Sequence, residues 1–192
     1  VNDSNSLLSN DGLEKAIAAA VNPDAKKEFE LALRWSKRVN EMVAEVVKNV
    51  PPFSFVKESL EKIYQKADII VCSSTPTEAL QREWAEHNVA RYAKAIVGQE
   101  MGKKAEHLAV MCEKYDKDKI LMIGDAPGDQ NAAKKNSVLF YAVNPGAEDA
   151  SWKRFHDEAF DKFIAGEYAG QYEDMIIAEF DSFLPDNPPW LS

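Results

Sequence analysis

Cysteine is scarce: Cys72 and Cys112 are the two in 192 residues, each inside an apolar segment and neither spaced to a second Cys or His as metal ligands are. That excludes a disulfide scaffold and a zinc framework, and it reads as buried free thiols in a reducing compartment. Positive charge is also short. Lys and Arg number 23 against 32 Asp and Glu, a net charge of -9, which argues against a nucleic-acid or anionic-membrane surface. No apolar run approaches the roughly 18 residues of a membrane span, and the N-terminus lacks the basic and apolar regions of a signal peptide. Internal repeats and low-complexity tracts are missing too. His87, His107 and His156 share no spacing and read as surface or internally satisfied side chains. These absences predict a soluble, cytoplasmic protein, with any targeting segment having to precede Val1. At 45% hydrophobic content the chain can bury a full core, and its length suits one domain plus an insertion better than two domains.

What is present begins with helices. Asp11 reads as an N-cap, with Gly12 and Leu13 opening a helix to about Val21. From Ala25 to Asn49, Leu31, Trp35, Val39, Met42, Val43 and Val46 recur at three- and four-residue spacing, one apolar stripe on a long amphipathic helix. Arg34, Lys37 and Arg38 lie on or beside it, where a solvated face explains them better than an anionic substrate does. Pro51-Pro52 ends the helix, and a new pattern starts at Phe53. A helix over about Phe55–Lys66 leads to the β-branched run Ile69–Cys72, read as a strand. A helix through Leu80 and Trp84, a short strand Ala95–Val97, and a helix carrying Leu108, Met111 and Tyr115 follow. Ile120–Ile123 and Val138–Val143 supply two more strands. In the tail, Trp152, Phe155, Ala159, Phe160 and Phe163 share one helical face, and a second helix over about Tyr172–Leu184 presents Met175, Ile176, Ile177, Ala178 and Phe180. Such aromatic stripes read as core packing that braces a sheet. Strands alternating with helices call for a parallel sheet with right-handed crossovers.

Three loops of this pattern carry chemistry. Ile120–Ile123 empties through Gly124 into Asp125-Ala126-Pro127-Gly128-Asp129, and loops at strand C-termini are where open α/β sheets hold ligands. Two hard oxygen donors, Asp125 and Asp129, suit Mg²⁺; an acidic surface turn accounts for the same residues. Ser73, Ser74 and Thr75 stand at the end of the Ile69 strand, placed either to hold a phosphate beside a helix start or to cap that helix. Lys103 and Lys104 open the third helix of the core, where cations oppose the dipole at a cost of a few tenths of a kcal/mol. That placement has a functional account and a plain one, a solvated lysine pair.

Hydroxyls, lysines and paired carboxylates in this order resemble the haloacid dehalogenase-like superfamily, in the branch that includes phosphoglycolate phosphatases and β-phosphoglucomutases. Ser73 matches the second of its four motifs, Lys104 or the adjacent Lys103 the third, and Gly124-Asp125 through Asp129 the fourth, the most specific; the similarity runs from about Val56 to Pro145. The resemblance implies a Rossmann-like parallel α/β sheet over 53–192 with an inserted helical cap over 1–52. It implies a phosphohydrolase that works through an aspartyl phosphate on a small phosphorylated metabolite. Asp125 and Asp129 would hold or orient Mg²⁺, Ser73 and Lys104 (or Lys103) would serve catalysis, and Ser74 and Thr75 would help bind substrate. A sugar-phosphate mutase, a dehalogenase or a non-catalytic binding protein on the same fold are the alternatives.

One departure weighs against the matches. The family's first motif, a strand followed by Asp-x-Asp-Gly-Thr that supplies the nucleophile, does not occur in these residues. Val1-Asn2-Asp3-Ser4 looks like the residues that follow it. The resemblance then implies that residues 1–192 alone are inactive, with the nucleophile expected upstream of Val1, and it leaves room for a separate N-terminal fragment as partner. In the family that strand lies between the strands placed here at Ile69 and Ile120.

Overall fold

Ser9, rather than Asp11, starts the first helix: its Oγ accepts from the Gly12 N–H at 3.1 Å in the computed structural model, which describes residues 9–46 and 48–185. The segment Val1-Asn2-Asp3-Ser4 lies outside the described residues. Contacts divide the chain into two units, Val1–Val50 and Pro51–Ser192.

The first unit is a helical hairpin of α1 (Asn10–Ala19) and α2 (Pro23–Val46). Asn22 starts α2 by accepting from the Asp24 N–H at 2.8 Å, an Asx-type cap, and Ser36 Oγ donates to Asn10 Oδ1 at 2.7 Å between the helices. The expected stripe is there, but Leu31, Trp35, Met42, Val43 and Val46 are exposed. None of this unit's described residues is buried, because two helices have too little surface to enclose a core of their own. Lys37 pairs with Glu14 and Arg38 with Glu41, all more than half exposed, so these cations sit on a solvated face.

The second unit is the parallel α/β class that the alternation predicts. Its order is α3 (Val56–Tyr64), β1 (Ile70–Cys72), α4 (Thr77–Glu86), β2 (Ala95–Val97), α5 (Lys104–Met111), β3 (Leu121–Gly124), α6 (Pro127–Asn136) and β4 (Leu139–Ala142). β1 pairs in parallel with β2, Val71 opposite Ile96, and β3 with β4, Met122 opposite Phe140. Among the described residues these are two separate two-stranded ladders, and no ladder joins β1 to β3. After β4 come α7 (Glu148–Arg154), a π-helical turn Phe155–Ala159, α8 (Phe160–Ala165) and α9 (Gln171–Ser182). The π turn widens the helix by about one residue per turn, which lets Phe155, Ala159 and Phe160 all reach the interior at 2% exposure or less.

The core gathers on β3, β4 and the tail helices, with Phe140, Tyr141, Phe155, Phe160, Tyr168, Ile176 and Phe180 fully enclosed. Of the residues expected on the last helix face, Met175 and Ala178 are instead exposed. The tail also closes the outer edge of β4. Phe140 donates its N–H to Glu173 Oε1 at 2.8 Å and accepts at its C=O from the Tyr168 hydroxyl at 2.7 Å. Burial raises the Glu173 pKa while the Phe140 N–H opposes that rise. An edge strand that would otherwise offer bare backbone groups is thereby satisfied by side chains.

Candidate active site

β3 ends at Gly124, and after two intervening residues α6 begins with Pro127, a residue suited to a first helical turn because its missing N–H has no intrahelical partner there. Asp129 is the third residue of that helix and folds back over the turn. Its Oδ2 accepts from the N–H groups of Asp125 and Ala126, each at 3.2 Å, and its Oδ1 meets the Lys104 ammonium. Asp129 is 1% exposed whereas Asp125 is exposed. The two carboxylates thus differ in kind: Asp129 is engaged on both oxygens, and Asp125 faces outward.

Close packing keeps this turn in shape. A Cβ on Gly124 would lie 2.3 Å from the Cβ of Asp129, far inside contact distance. Gly124→Ala is therefore expected to destabilise by about 1–3 kcal/mol through overpacking and to displace Asp129 from Lys104, read as a lower urea midpoint together with a moved Asp129 amide resonance. An unchanged midpoint would show that the turn yields freely.

Lys104 is the first residue of α5 and Lys103 the residue before it. Lys103 is exposed, while the Lys104 side chain is 29% exposed and pairs with Asp129, so Lys104 is the lysine that turns to the β3–α6 loop. The dipole conflict is eased locally, since Glu106 Oε2 accepts the Lys103 N–H at 2.9 Å and brings a negative charge to the helix start.

The hydroxyl loop follows β1. Ser73 donates its N–H to the Val97 C=O at 3.1 Å and its Oγ accepts from the Thr75 N–H at 3.1 Å, which turns the chain sharply. α4 takes Pro76 as its first flanking residue with no side-chain cap, so none of these hydroxyls serves as the cap. Ser74 is exposed and Thr75 half-buried. Thr77 is what pins the loop after β2, accepting from the Gly98 N–H at 3.0 Å and donating to Glu100 at 2.9 Å. Ser73 makes no hydrogen bond to Lys104 or Asp129, yet its neighbour Cys72 feels both. Burial pushes the Cys72 thiol pKa up, the Lys104 charge pulls it partly back, and the Asp129 carboxylate adds to the rise. The C-terminal ends of β1 and β3 therefore lie on the same side of the core.

No group of three or more His, Cys, Asp or Glu side chains that could hold a metal is found among the described residues. The donor set that exists, outward Asp125 backed by an engaged Asp129, fits a largely hydrated Mg²⁺, which commonly takes one or two carboxylates and keeps several waters. His107, read from the sequence as a surface or internally satisfied side chain, instead buries its Nε2 without a partner. Its place three residues after Lys104, on the same helix face, was the available signal. No helix among the described residues is long and apolar enough to cross a membrane.

A search of curated proteins finds no match. Among solved structures the chain is similar to a protein from Thermotoga maritima described as a β-phosphoglucomutase, at 20% identity and a TM-score of 0.46, a likeness too slight to carry argument. The match covers 70% of this chain and 63% of that one, so the chain spans less than two thirds of that relative's length. The family model described as haloacid dehalogenase-like hydrolase matches residues 6–143. Over that span, which holds the Ser73, Lys104 and Asp125–Asp129 positions, the chain belongs to the haloacid dehalogenase-like hydrolase family.

Proposed function

We propose that the protein is a cytoplasmic, Mg²⁺-dependent phosphohydrolase acting on a small phosphorylated metabolite. The observation that carries this reading is the engagement of Lys104 with Asp129, whose other carboxylate oxygen accepts the N–H of the exposed Asp125. In it, Ser73 donates its hydroxyl to a phosphoryl oxygen, with Ser74 and Thr75 lining the approach. Lys104 offsets the negative charge of phosphate and carboxylates and is itself aimed by Asp129. Asp125 is the residue that would hold Mg²⁺, and the ion would supply charge neutralisation and in-line orientation of the phosphate. The nucleophilic Asp that would form the aspartyl phosphate belongs to a segment other than residues 1–192 in this reading, so these residues alone are inactive. Residues 1–52 are assigned as a helical cap and 53–192 as core, and the net charge of -9 disfavours nucleic acid and membrane as partners.

In a form that supplies the nucleophile, Asp125→Asn is expected to lower turnover of a generic aryl phosphate on the order of a hundredfold or more, because several kcal/mol of metal-derived charge stabilisation is lost. Undiminished turnover would overturn the assignment. A second reading, a non-catalytic binding protein on the same fold, draws on the engagement of both Asp129 oxygens. Saturable Mg²⁺ binding without hydrolysis by the nucleophile-supplied form would favour it.

A further inference from the structure

We infer that α2 pairs with the α2 of a second copy of this chain, antiparallel about a two-fold axis near Asn40, so that two helical hairpins complete one four-helix bundle. The pairing follows from the faces of α2 and is independent of the phosphatase reading. At about 100° per residue, Ala25, Phe29, Leu33 and Ser36 share one face of the helix, and each is half-buried. That is the face α1 takes, since Ser36 Oγ donates to Asn10 Oδ1 across the hairpin. Leu31, Trp35, Met42 and Val46 fall within about 60° of one another on a different face, and all four are exposed. Val39 and Val43 extend that stripe towards α1. One apolar face is enough to hold a hairpin together; a second on the same helix calls for a further partner.

Charge names the occupant. Arg38 and Glu45 border the bare stripe on the same side, seven residues apart, and both are exposed. With the axis near Asn40, Trp35 meets the second copy's Val46, Val39 meets its Met42, and Arg38 lies beside its Glu45. Two-fold symmetry makes each of these contacts twice. A parallel pair would instead bring like charges to the same level, which is disfavoured. The area also suffices. Leu31, Trp35, Met42, Val43 and Val46 are each 41% to 75% exposed, and covering them on both copies removes about 1,000 Å², where specific interfaces begin. Four helices then enclose the core that the hairpin alone lacks.

The test is analytical ultracentrifugation of the whole chain across a wide concentration range, with a concentration-dependent dimer as the expected result. Arg38→Glu and Glu45→Arg, each alone, should raise the dissociation constant about tenfold, because each sets like charges against one another twice. Mixed one to one, the two variants should pair with each other as tightly as the parent does, since every Glu at these positions then faces an Arg. A chain that stays monomeric would overturn the proposal. So would a dimer indifferent to both charge variants, or a mixture no tighter than its components. In a monomeric chain, a urea midpoint lowered by Trp35→Glu would assign the stripe to residues 51–192 of the same chain, and would overturn the proposal too.

Discussion

Asp129→Ala is expected to lower the unfolding free energy by about 3–5 kcal/mol, the range for breaking a buried pair by removing one partner. The carboxylate side chain is 2% exposed and Lys104 29%, so water cannot fully replace what is lost. Three groups lose their acceptor together: the Lys104 ammonium and the N–H groups of Asp125 and Ala126. Asp129→Asn separates the contributions, because an amide oxygen can still accept the two N–H bonds while the ion pair is gone. Its cost should fall well below that of Ala. Lys104→Met removes the other partner and leaves a buried carboxylate with amide donors only. In the double variant Lys104→Met/Asp129→Asn the two losses should not add, with a coupling of about 1 kcal/mol or more in a urea-denaturation cycle. Additive losses would mean that Lys104 and Asp129 do not act as a pair. The same cycle run on aryl phosphate turnover would report whether Lys104 needs Asp129 to be aimed.

Phe180→Ala should be comparably severe, at about 3–5 kcal/mol, since a fully enclosed ring leaves a cavity that its neighbours cannot collapse into. Phe180 is 0% exposed and meets Phe140 edge to face at 5.8 Å between centroids. Phe140 belongs to β4, so the loss reaches the sheet directly. Met175→Ala, five residues earlier on the same helix, removes a side chain from a residue 49% exposed and should change stability by less than about 0.5 kcal/mol. Thermal or urea unfolding of both variants checks the pair. Equal effects would mean that α9 packs through a different face.

Short apolar runs announced the strands because a parallel strand covered on both faces needs little else. Ala95–Val97 is a strand over the residues expected, and the Ile69 strand starts one residue later, at Ile70. Periodicity located the face of α2 but could not say what lies against it: Trp35 is 68% exposed despite its place in the stripe. The tail helix carries a π turn that spacing could not show, since Phe155, Ala159 and Phe160 fit an ordinary helix face nearly as well. At the site, residue types at strand ends were legible, and their commitments were not. Lys104 and Asp129 stand 25 residues apart in the chain, so only the fold could show that they engage each other and leave Asp125 as the outward carboxylate. Ser9 took the capping role expected of Asp11 because its shorter side chain, two residues earlier, reaches the Gly12 N–H.

The seal that Tyr168 and Glu173 place on Phe140 bears on how far association can propagate. A sheet open at both flanks can recruit strand after strand and grow into a fibre. Here the β4 flank is terminated by side chains, so strand pairing cannot be handed onward past β4. Loss of the seal, for instance in Tyr168→Phe with Glu173→Leu, would turn that terminus into a growing tip, visible as time-dependent light scattering and thioflavin fluorescence that the parent chain does not show.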